Sequence, residues 1–287
     1  MLINGQPRDT ISANDRGLQY GDGLFETIAV DKGIPLCLSE HLDRLARGCR
    51  RLRIPEPARA SLQQEIHIVS GELQRGIVKV IITRGVGGRG YAPTPTTPVP
   101  NTAVSSPNAA ASSPTRLVAG FQWPDYPIDF SREGIDTCLC DTRLGRNVAL
   151  AGIKHLNRLE QVLGRIECAQ KGVPEGIMLD SDGCLIEGTM SNLFLVRGNQ
   201  LITPELAESG VRGITRDRII HVAEMVGIDV RVTRLDPSAL FHADGLFFCN
   251  SVMGIWPVKR LADRCYSVPP IIRRLRRELI EGRVVVV

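Results

Sequence analysis

The sequence lacks the features that mark several protein classes. No stretch approaches the roughly 18 consecutive apolar residues needed to span a bilayer, and MLINGQPRDT has no apolar signal core. The formal net charge of +4 is too small to indicate binding to nucleic acid. No cysteine pair is spaced as C-x-x-C, and no histidine pair accompanies the cysteines at zinc spacing. These absences predict a cytoplasmic protein with no membrane span, no nucleic-acid partner and no metal site.

Aromatic residues and lysines are also scarce. Aromatic residues make up 5% of the chain, and the lysines are only Lys32, Lys79, Lys154, Lys171 and Lys259. Because arginine supplies most of the positive charge, the possible role of each lysine can be considered individually. The 8 cysteines mostly lie in apolar runs such as Thr-Cys-Leu-Cys at 137–140. We therefore expect them to be small buried hydrophobes in a reducing compartment.

Composition predicts two domains joined by an irregular segment. Residues 92–115 are rich in Pro, Ser, Thr and Ala and carry no charge. Such a segment buries too little apolar surface to offset its ordering entropy, so we expect a flexible insert or linker. It separates an N-terminal domain, 1–91, from a C-terminal domain, 116–287. Helical and strand patterns alternate irregularly and include hairpins, which favours an α+β fold.

A glycine-rich turn follows a predicted buried strand in the N-terminal domain. Residues 85–90 match G-x-G-x-x-G after the strand 77–83. A dinucleotide site also needs a helix to begin at the third glycine, and Tyr91-Ala-Pro-Thr-Pro95 cannot form one. The pattern instead predicts a mobile loop that carries Arg84, Arg89 and Tyr91 into a site. In the same domain, Ser39 is the expected N-cap of a helix that ends near Leu52.

Three features of the C-terminal domain could carry chemistry. Lys154 follows an apolar run, and a buried lysine suits Schiff-base chemistry, although lysines near helix starts are usually at the surface. Glu187 ends an apolar strand and could pair with a ring nitrogen, or it is a simple exposed strand end. Glycines 210 and 213 precede a helix whose first amides, at Ile214 and Thr215, could bind phosphate. The alternative is an ordinary helix with Thr215 as its N-cap.

Taken together and in order, these segments resemble the fold-type IV enzymes that depend on pyridoxal phosphate (PLP). The resemblance covers nearly the whole chain outside 92–115. It is carried by the segments 15–27, 41–45, 83–91, 143–147, 151–160, 187–194, 213–216 and 249–252.

The resemblance implies two α+β domains with PLP in the cleft between them, usually in a homodimer. It implies that Lys154 holds PLP covalently and transfers protons, and that Glu187 pairs with the pyridine nitrogen. Phosphate would be bound by Arg44, the amides of Ile214 and Thr215, and the hydroxyl of Ser251. Val211 would pack on the ring. Arg84, Arg89 and Tyr91 are implied on the side of a small-molecule substrate.

The stretch 152–160 and the glycine-rich turn resemble the lyase branch of this family more than its aminotransferases. That branch converts 4-amino-4-deoxychorismate to 4-aminobenzoate and pyruvate for folate biosynthesis. An aminotransferase of the same fold, acting on D-amino or branched-chain amino acids, shares every implied cofactor residue. A non-catalytic nucleotide- or phosphate-binding protein is the alternative from another class.

Overall fold

A computed structural model describes residues 1–93 and 113–286. The chain divides into two compact units, Met1–Trp123 with Lys154–Asn157, and Pro124–Ile153 with Arg158–Val287. Each unit combines a sheet with helices, which confirms the α+β class. The cleft position of the cofactor stays a prediction.

Where the structure describes it, the first unit contains six strands and three helices. In chain order they are β1 Leu2–Ile3, β2 Gln6–Pro7, α1 Arg16–Tyr20, β3 Gly23–Asp31, β4 Ile34–Pro35, α2 Leu38–Leu52, α3 Arg59–Gly71, β5 Arg75–Thr83 and β6 Thr115–Gln122. The strands form one antiparallel sheet in the order β2-β1-β6-β5-β3-β4.

The long pairing of β3 with β5 is the centre of this sheet, and it extends from Gly23 opposite Thr83 to Asp31 opposite Arg75. Val78, Val80 and Ile82 alternate along β5 and are buried, as expected for one face of a strand. Helix α2 begins at Leu38 after Cys37, which has a left-handed backbone with φ of 49°. The expected N-cap at Ser39 is therefore wrong, since Ser39 is already inside the helix.

Strand β6 places the end of the first unit later than the sequence indicated. It pairs with β5 from Gly76 opposite Gln122 to Thr83 opposite Thr115, and it also pairs with β1. Its backbone hydrogen bonds hold residues 115–122 in the N-terminal sheet, so the boundary falls at Trp123 rather than at 116. Most of the predicted flexible insert, residues 94–112, lies outside the described residues.

The second unit is larger. In chain order it contains α4 Asp129–Arg132, β7 Ile135–Leu144, α5 Leu159–Gln170, β8 Glu175–Asp180, β9 Leu185–Gly188, β10 Asn192–Arg197, β11 Gln200–Pro204, α6 Ile214–Met225, β12 Asp229–Thr233, a 3-10 helix Pro237–His242, β13 Gly245–Asn250, β14 Gly254–Leu261, β15 Arg264–Cys265 and α7 Pro270–Glu281. In the chain as described, none of the helices is long and apolar enough to cross a membrane.

The main sheet of this unit closes on itself. Its path runs β12-β11-β10-β13-β14-β7-β8-β9, and a further pairing of Asn192 with Glu187 joins β9 back to β10. Six strands therefore form a ring, with β11 and β12 as an extension of the sheet beside β10. Strands β8 and β9 form one of the hairpins that the sequence patterns indicated, with Gly183 in its turn at φ of 80°.

The core of the second unit is built from the inward side chains of the ring, among them Phe248 and Trp256. Phe248 is fully buried, whereas Phe241 on the 3-10 helix is 64% exposed. These two phenylalanines give a matched pair for testing the core.

We expect Phe248→Ala to lower the free energy of unfolding by about 3–5 kcal/mol, because it leaves a cavity in a packed core. Phe241→Ala should cost less than about 1 kcal/mol, since its ring is largely in solvent. Urea denaturation followed by circular dichroism measures both. Equal losses in the two variants would contradict this description of the core.

Candidate active site

Lys154 is fixed to the first half of β3. The amide of Phe25 donates to the carbonyl of Lys154 at 2.9 Å, and the amide of Leu156 donates to the carbonyl of Gly23 at 3.0 Å. Strand β4 pairs only with Val30 and Asp31, so the segment 154–156 occupies the edge that β4 leaves uncovered. The lysine backbone is therefore held as firmly as a residue of the sheet.

The side chain of Lys154 lies over an aromatic ring. Its Nζ is 4.4 Å from the centroid of the Phe25 ring, within the range of a cation–π contact. The Nζ of Lys79 lies 5.6 Å from the same centroid. Both lysines are half-buried. Two amines thus approach one ring, and Lys154 is the nearer.

A buried ionic cluster lies in the same unit. Arg44 on α2 donates through Nε to Glu26 Oε1 at 2.7 Å and through Nη2 to Oε2 at 2.5 Å. The Nδ1 of His41, one turn earlier on α2, lies 2.7 Å from Glu26 Oε2. All three side chains are almost fully buried. The paired bonds fix the plane of the Arg44 guanidinium, which has five N–H donors in total.

The charges of this cluster follow from its burial. Burial alone would raise the pKa of Glu26, but Arg44 and His41 together lower it to about 2. Burial lowers the pKa of His41 more than its bond with Glu26 raises it, so the imidazole is neutral near pH 7. Among the described residues, its Nε2 has no hydrogen-bond partner. Glu26 and Arg44 are therefore a permanent ion pair at neutral pH.

In the second unit, Glu187 lies near the end of β9 and is 3% exposed. Its Oε2 accepts the amide of Val211 at 2.8 Å, and its Oε1 is 3.5 Å from Nε2 of Gln161 on α5. Gly210 has φ of 80°, and a Cβ there would lie 2.7 Å from Ile186. A glycine is therefore required for the chain to bring Val211 to the carboxylate. The alternative of an exposed strand end is wrong for Glu187.

Val211 is held at its other backbone group as well. Its carbonyl accepts Nδ2 of Asn192 at 2.8 Å, and it forms a parallel bridge with Gly152. Its side chain remains partly exposed. The structure thus presents an apolar side chain from a rigid backbone beside Glu187.

The start of α6 has the form of an anion site. The helix begins at Ile214 after Gly213, which provides no side-chain cap. Thr215 is the second helical residue, so the alternative of Thr215 as N-cap is wrong. Its Oγ1 lies instead 3.3 Å from Oγ of Ser251. The first-turn amides and the two adjacent hydroxyls can donate hydrogen bonds to a phosphate.

The loop of Ser251 is shaped by its neighbour Asn250. The Oδ1 of Asn250 accepts the amides of Val252 and Met253, each at 2.8 Å, and its Nδ2 donates to the carbonyl of Met190 at 3.0 Å. These bonds set the turn that carries the Ser251 hydroxyl to Thr215.

The glycine-rich turn is held by the motif Asp15-Arg16. Arg16 is 4% exposed and donates to the carbonyls of Gly90 and Tyr91 at 2.9 and 2.8 Å. The Tyr20 hydroxyl accepts the amide of Gly90 at 3.1 Å. Residues 91–93, which follow the turn, are not helical. The turn is thus tied to α1, rather than attached only through its ends as a mobile loop would be.

The three residues expected on the substrate side have different surroundings. Arg84 pairs with Asp22 through Nε at 2.7 Å and donates to the carbonyls of Leu52 and Arg53 at the end of α2. Burial would raise the pKa of Asp22, but its bonds with Arg84 and Arg16 lower it. These bonds give Arg84 a structural role at the end of α2, and its contact with a substrate stays a prediction.

Arg89 and Tyr91 are exposed, and the Tyr91 side chain is 86% exposed. Its ring lies 5.5 Å from that of Tyr20. Both side chains are therefore available to a ligand.

The class IV amino-transferase family model matches residues 23–261 of the chain. The chain belongs to this family. An aminodeoxychorismate lyase from Vibrio harveyi is 32% identical over 278 residues, covering 96% of this chain and 97% of that protein. The crystal structure of a 4-amino-4-deoxychorismate lyase from Pseudomonas aeruginosa superposes with a TM-score of 0.89 at 41% identity, covering 98% of each chain.

A branched-chain amino acid aminotransferase from Escherichia coli shares the fold as well. Its crystal structure gives a TM-score of 0.83 at 26% identity and covers 99% of this chain and 93% of that one. Membership of the class IV family confirms the resemblance to fold-type IV enzymes.

Sequence reasoning missed two buried carboxylates of this class IV chain. Glu26 lies between Leu24 and Ile28 on the buried face of β3, and the period-2 pattern around it could have identified it. Glu175, fully buried, accepts the amides of Gly176 and Thr189 at 2.9 Å each and the hydroxyl of Ser191 at 2.8 Å. It holds the turn that follows Glu187, and nothing in the local sequence marks it.

Acid should destabilise the protein through Glu26. Its pKa is about 2 when folded against a reference of 4.5, so its contribution is complete above pH 4.5 and disappears as the pH falls to about 2. The shift corresponds to about 3 kcal/mol of unfolding free energy. Urea denaturation between pH 3 and pH 7 should show part of this loss.

The matched comparison uses Glu26→Gln and Glu56→Gln, since Glu56 forms an exposed pair with Arg50. Glu26→Gln should be about 3–5 kcal/mol less stable at pH 7, because Arg44 loses its partner, and should show a smaller acid slope. Glu56→Gln should behave as wild type. An unchanged acid slope in Glu26→Gln would count against this assignment.

Proposed function

We propose that this chain is a PLP-dependent lyase that converts 4-amino-4-deoxychorismate to 4-aminobenzoate and pyruvate. The observation that carries the proposal is Lys154, whose backbone is hydrogen-bonded to β3. It lies in a chain that is 41% identical, over 98% of its length, to a 4-amino-4-deoxychorismate lyase. PLP, when bound, supplies an electron sink that stabilises negative charge on the substrate carbon next to its amine.

The donors and acceptors of the chain suit the chemical groups of PLP. The start of α6, with the amides of Ile214 and Thr215 and the hydroxyl of Ser251, fits a phosphate. The buried carboxylate of Glu187 fits a protonated pyridine nitrogen, and its bond to the Val211 amide fixes its orientation. Val211 would pack on the ring face.

Arg44 is proposed as a further phosphate ligand. Its bonds to Glu26 through Nε and Nη2 fix the orientation of the guanidinium. In this arrangement Glu26 acts as a positioning residue, because it fixes the cation that meets the phosphate.

Lys154 has two roles in the proposed reaction. Its Nζ would hold the cofactor covalently and, when free, would take the proton from C4 of the substrate. The enolpyruvyl C–O bond would break, and the proton taken from C4 would be delivered to the methylene carbon of the departing group to give pyruvate. The ring becomes aromatic, which makes this step strongly downhill.

The substrate carries two carboxylates, so a basic side chain near the cofactor is expected to bind it. Arg89 and Tyr91 are the candidates that the structure leaves exposed on the glycine-rich turn. The turn is held in place by Arg16, which makes it a defined surface for substrate.

We also propose a homodimer, as the family resemblance implies, and a cytoplasmic location, as the composition indicates. The 8 cysteines are all free thiols, which agrees with a reducing compartment. An aminotransferase reaction is the nearest alternative, since the E. coli aminotransferase has the same fold.

The purified enzyme with PLP should form 4-aminobenzoate and pyruvate in equal amounts from 4-amino-4-deoxychorismate without any keto acid. Fluorescence of 4-aminobenzoate and a coupled lactate dehydrogenase assay measure the two products. Lys154→Ala should lower the rate by at least about 100-fold, because it removes the base. Lys259→Ala is the control, since Lys259 is an exposed lysine on β14.

If activity required an α-keto acid and the amino group were transferred to it, the result would favour an aminotransferase over the lyase. Full activity of Lys154→Ala would overturn the assignment of the base. Absence of any PLP absorbance would favour a non-catalytic binding protein.

A further inference from the structure

Three thiols meet in the second unit. Cys138 and Cys140 lie two residues apart on β7, so their side chains share one face of the strand. Cys168 comes from α5, near its C-terminal end. The three sulphur atoms all lie within 4.8 Å of one another. None of these residues has a part in the proposed reaction.

The neighbouring strand leaves space for the sulphurs. A Cβ at Gly176 on β8 would lie 2.6 Å from the sulphurs of both Cys140 and Cys168, and 3.4 Å from that of Cys138. No side chain other than hydrogen fits there while the thiols keep their positions. Backbone therefore forms one wall of the thiol cluster.

The other walls are apolar and rich in sulphur. Cys140 and Cys168 are 1% and 0% exposed and pack with Met178, which follows Gly176 by two residues on the same face of β8. Leu144 and Ile186 belong to the same group of buried apolar side chains. Cys138 is only half-buried, which gives an ion a route of entry.

We propose that Cys138, Cys140 and Cys168 form a binding site for a soft monovalent cation, of which Cu(I) is the biological example. Thiolate and thioether ligands select soft or borderline metal centres, namely Cu(I), Zn and Fe–S clusters. A cation bound at roughly 2.3 Å from three sulphurs in one plane needs sulphurs about 4 Å apart. The observed cluster has its three sulphurs within 4.8 Å of one another.

Zinc fits this site less well. Structural zinc sites have four protein ligands, and a catalytic zinc uses water as its fourth ligand. Among residues 1–93 and 113–286, no histidine or carboxylate joins these three cysteines. The apolar walls also disfavour a water. Three-coordinate Cu(I) needs neither a fourth protein ligand nor a water.

A cation beside β7 offsets part of the negative charge that thiolates bring. The Nζ of Lys171 donates to the carbonyl of Leu139, between the two cysteines of β7, at 3.1 Å. The prediction of no metal site rested on sequence spacing, and that spacing misses the cluster because 28 residues separate Cys140 from Cys168.

The test titrates the holoenzyme with Cu(I) under argon, in competition with the chromophoric chelator bicinchoninate. The reference protein is the double variant Cys37→Ser, Cys265→Ser, which removes two accessible thiols outside the cluster. We expect this reference to take one Cu(I) per chain from the chelator. Adding Cys138→Ala should abolish that uptake, and because Cys138 is half-buried the variant should keep its fold. Circular dichroism melting checks the fold.

Copper X-ray absorption of the loaded reference protein gives a second measurement that needs no cluster variant. Coordination by about three sulphurs supports the site. Nitrogen or oxygen ligands would overturn it, as would no uptake against the chelator or full uptake after Cys138→Ala. Preferential binding of Zn²⁺ by the same cysteines would overturn the choice of Cu(I).

Discussion

The pairing of residues 154–156 with the open edge of β3 is the constraint on which this account depends. Strand β4 is two residues long, so it leaves the first half of β3 unpaired on the edge opposite β5. The carbonyl of Lys154 and the amide of Leu156 use that edge. A long, flexible lysine side chain thereby starts from a backbone as rigid as the sheet, and its amine lies over Phe25. Rigid placement of a reacting group is what proton transfer at a single atom requires.

Buried carboxylates hold the other functional segments in place. Glu26 orients Arg44, and Glu175 holds the turn after Glu187. Asp15 accepts the hydroxyls of Thr83 and Thr115, which joins the ends of β5 and β6. Each carboxylate receives several donors, which compensates for its loss of water. The groups proposed to touch ligand thus depend on acidic residues that do not touch it.

The sequence predicted the parts of the fold that depend on local pattern. The apolar run 77–83 identified β5, and the Ser-Asp-Gly turn at 181–183 identified the hairpin of β8 and β9. It did not predict that β6 joins the first sheet, because that depends on pairing with β1 and β5 across long chain separations. Cys37 as the cap of α2 was missed for a similar reason, since a left-handed cysteine is set by the surrounding fold. In the site, the family resemblance predicted Lys154 and Glu187. The role of Glu175 became visible only in the structure, where its carboxylate accepts five hydrogen bonds.

The central claim is that Lys154 is the lysine that holds the cofactor. Lys79 is the informative competitor, because its amine also approaches the Phe25 ring, at 5.6 Å against 4.4 Å. Borohydride reduction of the PLP-loaded enzyme, followed by proteolysis and mass spectrometry, identifies the modified lysine directly. If Lys154 holds the cofactor, the pyridoxyl group will be found on the peptide that contains Lys154. Modification of Lys79, or of no lysine, would contradict it.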